Sequence, residues 1–258
     1  MSTKISALLI TYNEEKNIQR YLDDVEDYAD EILIIDSYST DKTEEIARKH
    51  SKVQFVKRVF DDFTNQRNYG ISLAKNEWIT FFDGDEGIPA KLKNEIISTV
   101  QQPDCDAYFV YRKFFFKQKF IRFSGMQSDK AIRLFRKSKC QYKKDRLVHE
   151  IIECDGKVGF LNSKLDHYTF DNEQDYLAKL NSYSRLRAKE LYRKNLKPTF
   201  FHFLLKPAYR FFNYYVMRLG FLDGKEGYTI AKIHAISVAN RYKYLNEIYE
   251  EESKNYVK

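Results

Sequence analysis

The sequence has 258 residues, of which 43% are hydrophobic and 16% aromatic, and this apolar content excludes an intrinsically disordered chain. The net charge of +7 is unevenly distributed. Residues 1–172 contain 28 basic and 28 acidic side chains, whereas residues 173–258 contain 16 basic and 9 acidic side chains. This excess, together with a basic stretch at 112–146, indicates anionic partners such as phosphates, nucleic acid or lipid head groups.

The amino terminus enters a strand-like run at once, so we expect no signal peptide. No run of ~18 apolar residues predicts a membrane-spanning helix. The cysteines at 105, 140 and 154 are odd in number and lack metal-ligand spacing, which is typical of thiols in a reducing compartment. We therefore expect a cytoplasmic protein, or one held peripherally on the inner face of the cytoplasmic membrane.

The first hundred residues alternate strand and helix signals. Apolar runs at 5–10, 32–35, 53–56 and 78–82 predict strands. Helices are predicted after Asn13 as N-cap, from an Asp41/Glu44 capping box through Lys49, over 65–74, and from Pro89 through Val100. This alternation indicates βαβ units and a mainly parallel sheet.

The pattern changes in the second half of the chain. Short β-like runs occupy 108–111, 131–135, 148–152 and 158–161, and helical patterns follow from residue 173. The first of these helices has Tyr176, Leu177, Leu180 and Tyr183 on one face. We predict an α/β domain over 1–172 and a helical, basic and aromatic extension over 173–258.

Polar clusters follow three of the predicted strands. They are Thr11–Glu14 after the first, Asp36 with Ser37 and Ser39 after the second, and Asp83-Gly84-Asp85 after the fourth. Ligands of open α/β sheets bind beyond the carboxyl ends of the strands, so these clusters are expected at one site.

Asp83 and Asp85 are the candidate metal ligands. Mg²⁺ and Mn²⁺ prefer hard oxygen ligands and take one or two carboxylates together with substrate phosphates. The sequence has neither of the common Gly-rich phosphate loops. A metal and Arg67 are therefore predicted to hold phosphates.

Four motifs follow one another in the first hundred residues: ITYNEE at 10–15, IIDSYSTDKT at 34–43, NQRN at 65–68 and FFDGDE at 81–86. In these motifs the chain resembles the family 2 inverting glycosyltransferases of GT-A fold. RLFRK at 133–137, DRLVHE at 145–150, KVGFL at 157–161 and FLDGKEGY at 221–228 are similar to the lipopolysaccharide core β-glucosyltransferases. The resemblance covers nearly the whole chain, and the motifs are specific as an ordered set.

The resemblance implies roles for particular residues. Arg67 would approach the diphosphate, Asp83 would face ribose and metal, and Asp85 would be the principal metal ligand. The residues implied to line the nucleoside pocket are Thr11, Tyr12, Glu14 and Asp36. Many family members have two consecutive acids where this chain has Asp36-Ser37, so the residue that reads the nucleotide base is left open.

An inverting transferase needs one carboxylate to deprotonate the acceptor hydroxyl as it attacks the anomeric carbon. By the resemblance this base is Glu150, with the adjacent His149 as the alternative. Arg133 and Arg136 are predicted to bind a phosphorylated acceptor, unless they form a solvated strand edge. His167, His202 and His234 are widely separated and are interpreted as structural or surface residues.

Residues 198–222 combine Phe and Tyr with Lys206, Arg210 and Arg218. This composition is typical of a helix lying in a membrane interface, where it would suit a lipid-linked acceptor. The alternative is that the aromatic side chains pack against the catalytic domain or a second subunit. No nucleic-acid-binding module is recognised.

The expected function is transfer of a hexose, with glucose as the best candidate, from a UDP-sugar to a cell-surface glycan or lipopolysaccharide core. Mg²⁺ or Mn²⁺ is the expected cofactor, and an oligomer is left open. The alternatives are a sugar nucleotidyltransferase and a catalytically inactive nucleotide- or lipid-binding scaffold.

Overall fold

The computed structural model describes residues 3–126, 128–143 and 152–255. It divides the chain into two compact units, residues 1–112 with 129–167 and residues 113–128 with 168–258. Among the described helices, none has both the length and the apolar character needed to cross a bilayer.

The described strands are β1 Ile5–Thr11, β2 Glu31–Asp36, β3 Val53–Lys57, β4 Trp78–Phe81, β5 Glu86–Gly87, β6 Ala107–Phe116, β7 Lys119–Ile121, β8 Lys130–Arg136, β9 Cys140–Tyr142, β10 Ile152–Cys154, β11 Val158–Phe160 and β12 Leu165–Phe170. The strands of the larger sheet follow the order β3-β2-β1-β4-β8-β6-β12-β5, and β7 and β11 each pair with β6. β1, β2, β3 and β4 are parallel, whereas β8 is antiparallel to both β4 and β6. β9 and β10 form a separate antiparallel pair.

Helices connect the parallel strands and form most of the second unit. A π-helical turn at Asn213–Met217 and a 3₁₀ turn at Gly220–Asp223 separate the last two helices. The α-helices are α1 Ile18–Val25, α2 Thr43–Ala47, α3 Phe63–Leu73, α4 Ala90–Gln101, α5 Glu173–Arg193, α6 Phe200–Phe212 and α7 Lys225–Asn255.

The apolar runs of β1 and β2 are continuous because both faces of these strands are buried. Successive side chains of a strand point to opposite faces, and Leu8 and Leu33 accordingly belong to one core cluster while Leu9 and Ile34 belong to the other. Leu22 of α1 packs in the second of these clusters. This is the mainly parallel α/β architecture predicted from the sequence.

Two predicted helix starts need correction. α1 begins at Ile18 with Asn17 as N-cap, whereas the predicted cap Asn13 has a φ of 56° and its Oδ1 accepts a hydrogen bond from Thr40 N at 2.8 Å. α3 begins at Phe63, two residues before the predicted start, because the side chain of Asp62 caps it.

The second unit has its own core, in which Phe116 of β6 and Tyr176 of α5 pack with Ile230 of α7. Tyr183, predicted on the same helix face as Tyr176, is instead exposed. His234 is structural, as predicted: its Nε2 lies 2.8 Å from the Tyr176 hydroxyl, and burial lowers its pKa to about 3.

Asp223 joins the β7 loop to the start of α7 within the second unit. Its buried carboxylate accepts hydrogen bonds from Arg122 N at 2.9 Å, Phe123 N at 3.0 Å and Ser124 Oγ at 2.7 Å. Three donors, two of them backbone amides, therefore depend on one side chain.

Asp223→Ala is expected to lower the free energy of unfolding of the second unit by about 2–4 kcal/mol, because the donors lose their acceptor. Chemical denaturation followed by circular dichroism would measure this loss. Asp171→Ala removes an exposed carboxylate of the same unit and should leave the transition unchanged. Equal stability of the two variants would contradict the role of Asp223.

Candidate functional site

The three predicted polar clusters lie at one edge of the sheet. They follow β1, β2 and β4, which are neighbouring parallel strands in the order β2-β1-β4. Thr11 is opposite Asp36 in the strand register, and its Oγ1 donates a hydrogen bond to Asp36 Oδ1 at 2.9 Å. The edge expected to carry the site therefore exists in the first unit.

Asp36 is fully buried, and its carboxylate is already hydrogen-bonded. Besides Thr11, it accepts bonds from Ser39 N at 2.8 Å and Ser39 Oγ at 2.5 Å. Asp36 thus positions Thr11 and the loop after β2, and its predicted place in the nucleoside pocket stays a prediction. Tyr12, with 62% of its surface exposed, is the accessible side chain here.

The segment after β4 forms a tight turn closed at both ends by Asp83 and Glu86. Glu86 N donates to Asp83 O at 3.0 Å, and Asp83 N donates to the Glu86 carboxylate at 2.9 Å. Arg20 Nη2 also donates to Gly84 O at 2.9 Å. A side chain at position 84 would approach Glu14 Oε2 to 3.1 Å, so a glycine suits this close packing.

Asp83 is surrounded by arginine side chains. Its Oδ1 accepts from Arg67 Nη2 at 2.9 Å, its Oδ2 pairs with Arg133, and Arg112 Nη2 lies 3.8 Å away. Burial alone would raise the pKa of Asp83, but Arg133, Arg67 and Arg112 together hold it well below its usual range. Asp83 is therefore a carboxylate over the whole physiological pH range, and both of its oxygens have cationic partners.

Arg133 is 2% exposed and binds Asp83 and Glu86, with its Nη2 2.7 Å from Glu86 Oε1. Arg112 Nε donates to the same Glu86 oxygen at 2.8 Å, and its Nη1 lies 3.3 Å from Asp129 Oδ2. The guanidinium of Arg133 thus supports the Asp83 turn from inside the protein, and its predicted contact with an acceptor stays a prediction.

Arg136 lies at the opposite end of the sheet. Because β8 is antiparallel to β4, Arg136 is opposite Trp78, the first residue of β4, and stacks over its ring at 4.6 Å. At about 3.3 Å per strand residue, this position is roughly 15 Å from Asp83. Its guanidinium Nε is 3.3 Å from Asp106, so the structure does not bring Arg136 together with the Asp83 turn, and its predicted contact with an acceptor stays a prediction.

Asp85 is partly exposed and lies beside a histidine that the sequence interpretation treated as structural. His167 Nε2 is 3.3 Å from Asp85 Oδ2. The antiparallel pair β5–β12, in which His167 is opposite Glu86, brings these residues together. Eighty-two positions separate the two residues, and β5 has only two residues, so no sequence spacing could have revealed the pair.

Arg67 projects from α3 across the edge of the sheet. Its guanidinium lies over the rings of Phe81 at 5.3 Å and Tyr142 at 5.2 Å, besides its ion pair with Asp83. Asn68 fixes the neighbouring strand end, since its side chain exchanges two hydrogen bonds of 2.9 Å with the backbone of Tyr142. Arg67 is thus held at the carboxyl edge of the sheet, and its predicted contact with phosphate stays a prediction.

Glu14 adds a third carboxylate near Asp83 and Asp85. Burial raises its pKa, and the charges of Asp85, Asp41 and Asp83 raise it further, against a hydrogen bond from Asn17 that lowers it. The site therefore concentrates negative charge on the side of the turn that faces Glu14, an arrangement that a cation would relieve.

The predicted catalytic residues Glu150 and His149 lie outside the described residues. The strands that flank them along the chain, β9 and β10, are described and are paired with each other. The hydroxyl of Tyr142, the last residue of β9, lies 3.3 Å from Arg67 Nη1.

Comparison with known proteins places the site in a family context. Residues 6–168 match the model of Glycosyl transferase family 2. An uncharacterized glycosyltransferase of Rickettsia bellii is 27% identical over 262 residues, covering 96% of this chain and 88% of that protein. The lipopolysaccharide core biosynthesis glycosyltransferase LpsC of Rhizobium meliloti is 23% identical, covering 92% and 93%. Residues 1–349 of S. aureus TarS align at 13% identity and a TM-score of 0.49, covering 96% and 92%.

Glu14→Gln tests the electrostatics of this edge, because it keeps the shape of the side chain but removes its charge. A carboxyl whose pKa is raised by folding binds more protons in the folded state, so stability falls as the pH rises above the ordinary value of 4.5. The variant should melt at a higher temperature than the wild type at pH 7, and the difference should shrink below pH 4.5.

Thermal denaturation between pH 4 and 8 would measure the effect, with Glu15→Gln as the control for exchanging an exposed neighbour. A difference between Glu14→Gln and wild type that does not vary with pH would contradict this account.

Proposed function

Because the chain belongs to glycosyl transferase family 2, we propose that it is an inverting hexosyltransferase that uses a UDP-sugar and delivers the sugar, with glucose as first candidate, to a lipopolysaccharide core or other cell-surface glycan. The observation that carries this proposal is the turn at 83–86, where Asp83 and Asp85 meet Arg67 and His167 at the carboxyl edge of the sheet.

The donor site is built around this turn. We assign the nucleoside pocket to the edge that carries Thr11, Tyr12, Glu14 and Asp36, with Asp36 acting through the loop it positions. Arg67 would exchange part of its ion pair with Asp83 for the donor diphosphate, and Asp83 would face the ribose.

The residues at the turn fit a divalent cation. Within the part of the chain that the structure describes, no group of three or more histidine, cysteine or carboxylate side chains is arranged for a metal. Asp85 with His167 would therefore supply two ligands and the diphosphate the others, as Mg²⁺ and Mn²⁺ commonly require. Direct ligation by Asp83 would displace Arg67 or Arg133. When bound, the cation would neutralise charge on the departing diphosphate.

We assign the general base to Glu150, with His149 as the alternative. The base would take the proton of the acceptor hydroxyl while its oxygen attacks the anomeric carbon from the face opposite the diphosphate. Arg67 would stabilise the negative charge that develops on the leaving group. No carboxylate nucleophile is needed, since a single displacement inverts the anomeric carbon.

The acceptor we propose is lipid-linked. The name of the Rhizobium meliloti relative, a lipopolysaccharide core enzyme, supports this class of acceptor. A peripheral position on the inner face of the cytoplasmic membrane, with contact through residues 198–222, would give a soluble active site access to such an acceptor.

Calorimetric titration with a panel of nucleoside diphosphates and nucleotide sugars tests the donor site. Binding of a uridine nucleotide is expected in Mn²⁺ and should weaken at least about tenfold in chelator. Asp85→Asn and His167→Ala should each weaken the metal-dependent part by about 10–100-fold.

Asp155→Asn, an exposed carboxylate of the same unit, is the matched control and should bind like wild type. Nucleotide binding of equal affinity with and without metal, and in both variants, would contradict the metal assignment. Absence of nucleotide binding under every condition would favour the inactive scaffold, and synthesis of a nucleotide sugar from a sugar phosphate would favour the nucleotidyltransferase.

Glu150→Gln tests the catalytic base. The variant should bind the donor and metal like wild type but lose about 10²–10⁴-fold in kcat, because only proton removal is impaired. Transfer of labelled sugar to a lipopolysaccharide core acceptor would measure the rate, with His149→Ala assayed beside it. A larger loss in His149→Ala than in Glu150→Gln would move the base to the histidine.

A further inference from the structure

The surface formed by residues 200–222 exposes an unusual density of large apolar side chains. Single exposed apolar residues are ordinary on soluble proteins, but contiguous groups mark interaction sites. In the described parts of the chain, half of the 24 large hydrophobic residues that are exposed lie within these 23 positions. The members of this exposed apolar face are Phe200, Phe201, Phe203, Leu204, Leu205, Tyr209, Phe212, Val216, Met217, Leu219, Phe221 and Leu222.

The helix at the centre of this face, α6, is amphipathic, with polar side chains towards the protein and apolar side chains on its outer side. His202, Lys206 and Arg210 follow one another at four-residue spacing on its inner side. Lys206 Nζ donates to the hydroxyl of Tyr242 in α7 at 2.9 Å, and the His202 ring lies 4.8 Å from the Tyr242 ring. A helix adapted to water on its outer side would turn its apolar stripe inwards instead.

No residue of α6 is fully buried, and although Phe211 packs against the core of the unit, most rings and aliphatic side chains of α6 are exposed. The exposed fraction reaches 77% for Phe200 and 67% for Tyr209. Since unsupported exposure of this many apolar groups is unfavourable in water, the outer side of α6 is adapted to a partner that is itself apolar.

The charges around the exposed apolar face indicate what that partner is. Residues 191–222 contain six Lys and Arg residues and no Asp or Glu. Residues 113–128 of the same unit contain four Lys and Arg residues and no Asp or Glu. The whole second unit has 20 basic and 10 acidic residues. An apolar surface bordered by cations complements a bilayer interface, where acyl chains lie directly beneath anionic phosphates.

A second copy of this chain fits the charges less well. A two-fold interface would place the same surface of both copies together and so bring like-charged groups into proximity. α6 is too short to span a bilayer, because it has 13 residues and a spanning helix needs ~20.

We propose that the exposed apolar face binds the interface of an anionic phospholipid bilayer, with α6 lying in the membrane plane. The aromatic side chains enter the boundary between head groups and acyl chains, and Lys197 and Arg218 contact lipid phosphates. This inference deepens the peripheral membrane contact proposed above by naming the face and the lipid charge, but it does not depend on the transfer reaction.

Flotation with vesicles tests the proposal. The full chain should float with vesicles of phosphatidylcholine containing phosphatidylglycerol, and binding should fall several-fold in phosphatidylcholine alone or in high salt. The double variant Leu204→Ser, Tyr209→Ser should lose at least about tenfold in partitioning, because it removes two apolar contacts with the bilayer.

Leu186→Ser, Tyr183→Ser is the matched control, because it removes one Leu and one Tyr that are also exposed but lie on α5. It should float like wild type. Both double variants remove exposed side chains, so their melting temperatures and their metal-dependent nucleotide binding should be those of wild type. Loss of flotation by Leu204→Ser, Tyr209→Ser with intact nucleotide binding supports the face, whereas a wild-type protein that floats but binds no nucleotide contradicts only the proposed function.

A depth measurement distinguishes insertion from surface adsorption. Trp78 is the single tryptophan of the chain and is buried, so Phe201→Trp adds the one tryptophan exposed to lipid. Lipids brominated in the acyl chains should quench its fluorescence. Equal flotation of both double variants, absence of quenching, or a wild-type dimer in light scattering that Leu204→Ser, Tyr209→Ser dissociates, would each overturn the proposal.

Discussion

The turn at 83–86 depends on one buried carboxylate. Glu86 receives the backbone N–H of Asp83 and the guanidinium groups of Arg112 and Arg133, and it has no exposed surface. Removing so many charges from water is expensive, and mutual attraction offsets that cost only where every partner is satisfied. The charges of the cluster are balanced, since three arginines face Asp83, Glu86 and Asp129, but the buried Nε of Arg133 has no hydrogen-bond partner among the described residues.

This balance decides which acid of the turn is available to a ligand. Asp83 is paired with Arg67 and Arg133, whereas Asp85, beyond Gly84, lies 3.3 Å from His167 Nε2, and its charge raises the pKa of Glu14. The same D-x-D sequence thus produces one carboxylate committed to arginines and one in an environment that favours a cation. A rigid turn costs little reorganisation when charge arrives, which is how preorganised sites stabilise charged ligands.

The sequence predicted the parts of this arrangement that follow from local chemistry. Continuous apolar runs ending in polar residues identified the parallel strands and the edge carrying Thr11, Asp36 and Asp83, because burial of both sheet faces leaves a direct mark on composition. Arg67 and the D-x-D segment were found through motifs. Contacts made by antiparallel pairing were not predictable, since β8 and β12 bring Arg133 and His167 to the turn from far along the chain. Periodicity assigns a strand but not its partner, so it could not show that Arg136 is opposite Trp78, five positions before Asp83 in the chain.

The two units differ in their balance of basic and acidic residues. The first unit has 24 basic and 27 acidic residues, and its arginines are largely used in pairing carboxylates within the protein. The second unit has twice as many bases as acids, so its excess cations have no internal counterpart. Core packing explains the rings of Phe116, Tyr176 and Tyr214, which are buried together, but not those of Phe200 and Phe201, which are exposed. Composition alone could not separate these two groups of aromatics. The contact of Lys206 and His202 with Tyr242 does so, because it fixes which side of α6 faces the protein and leaves the apolar side outward.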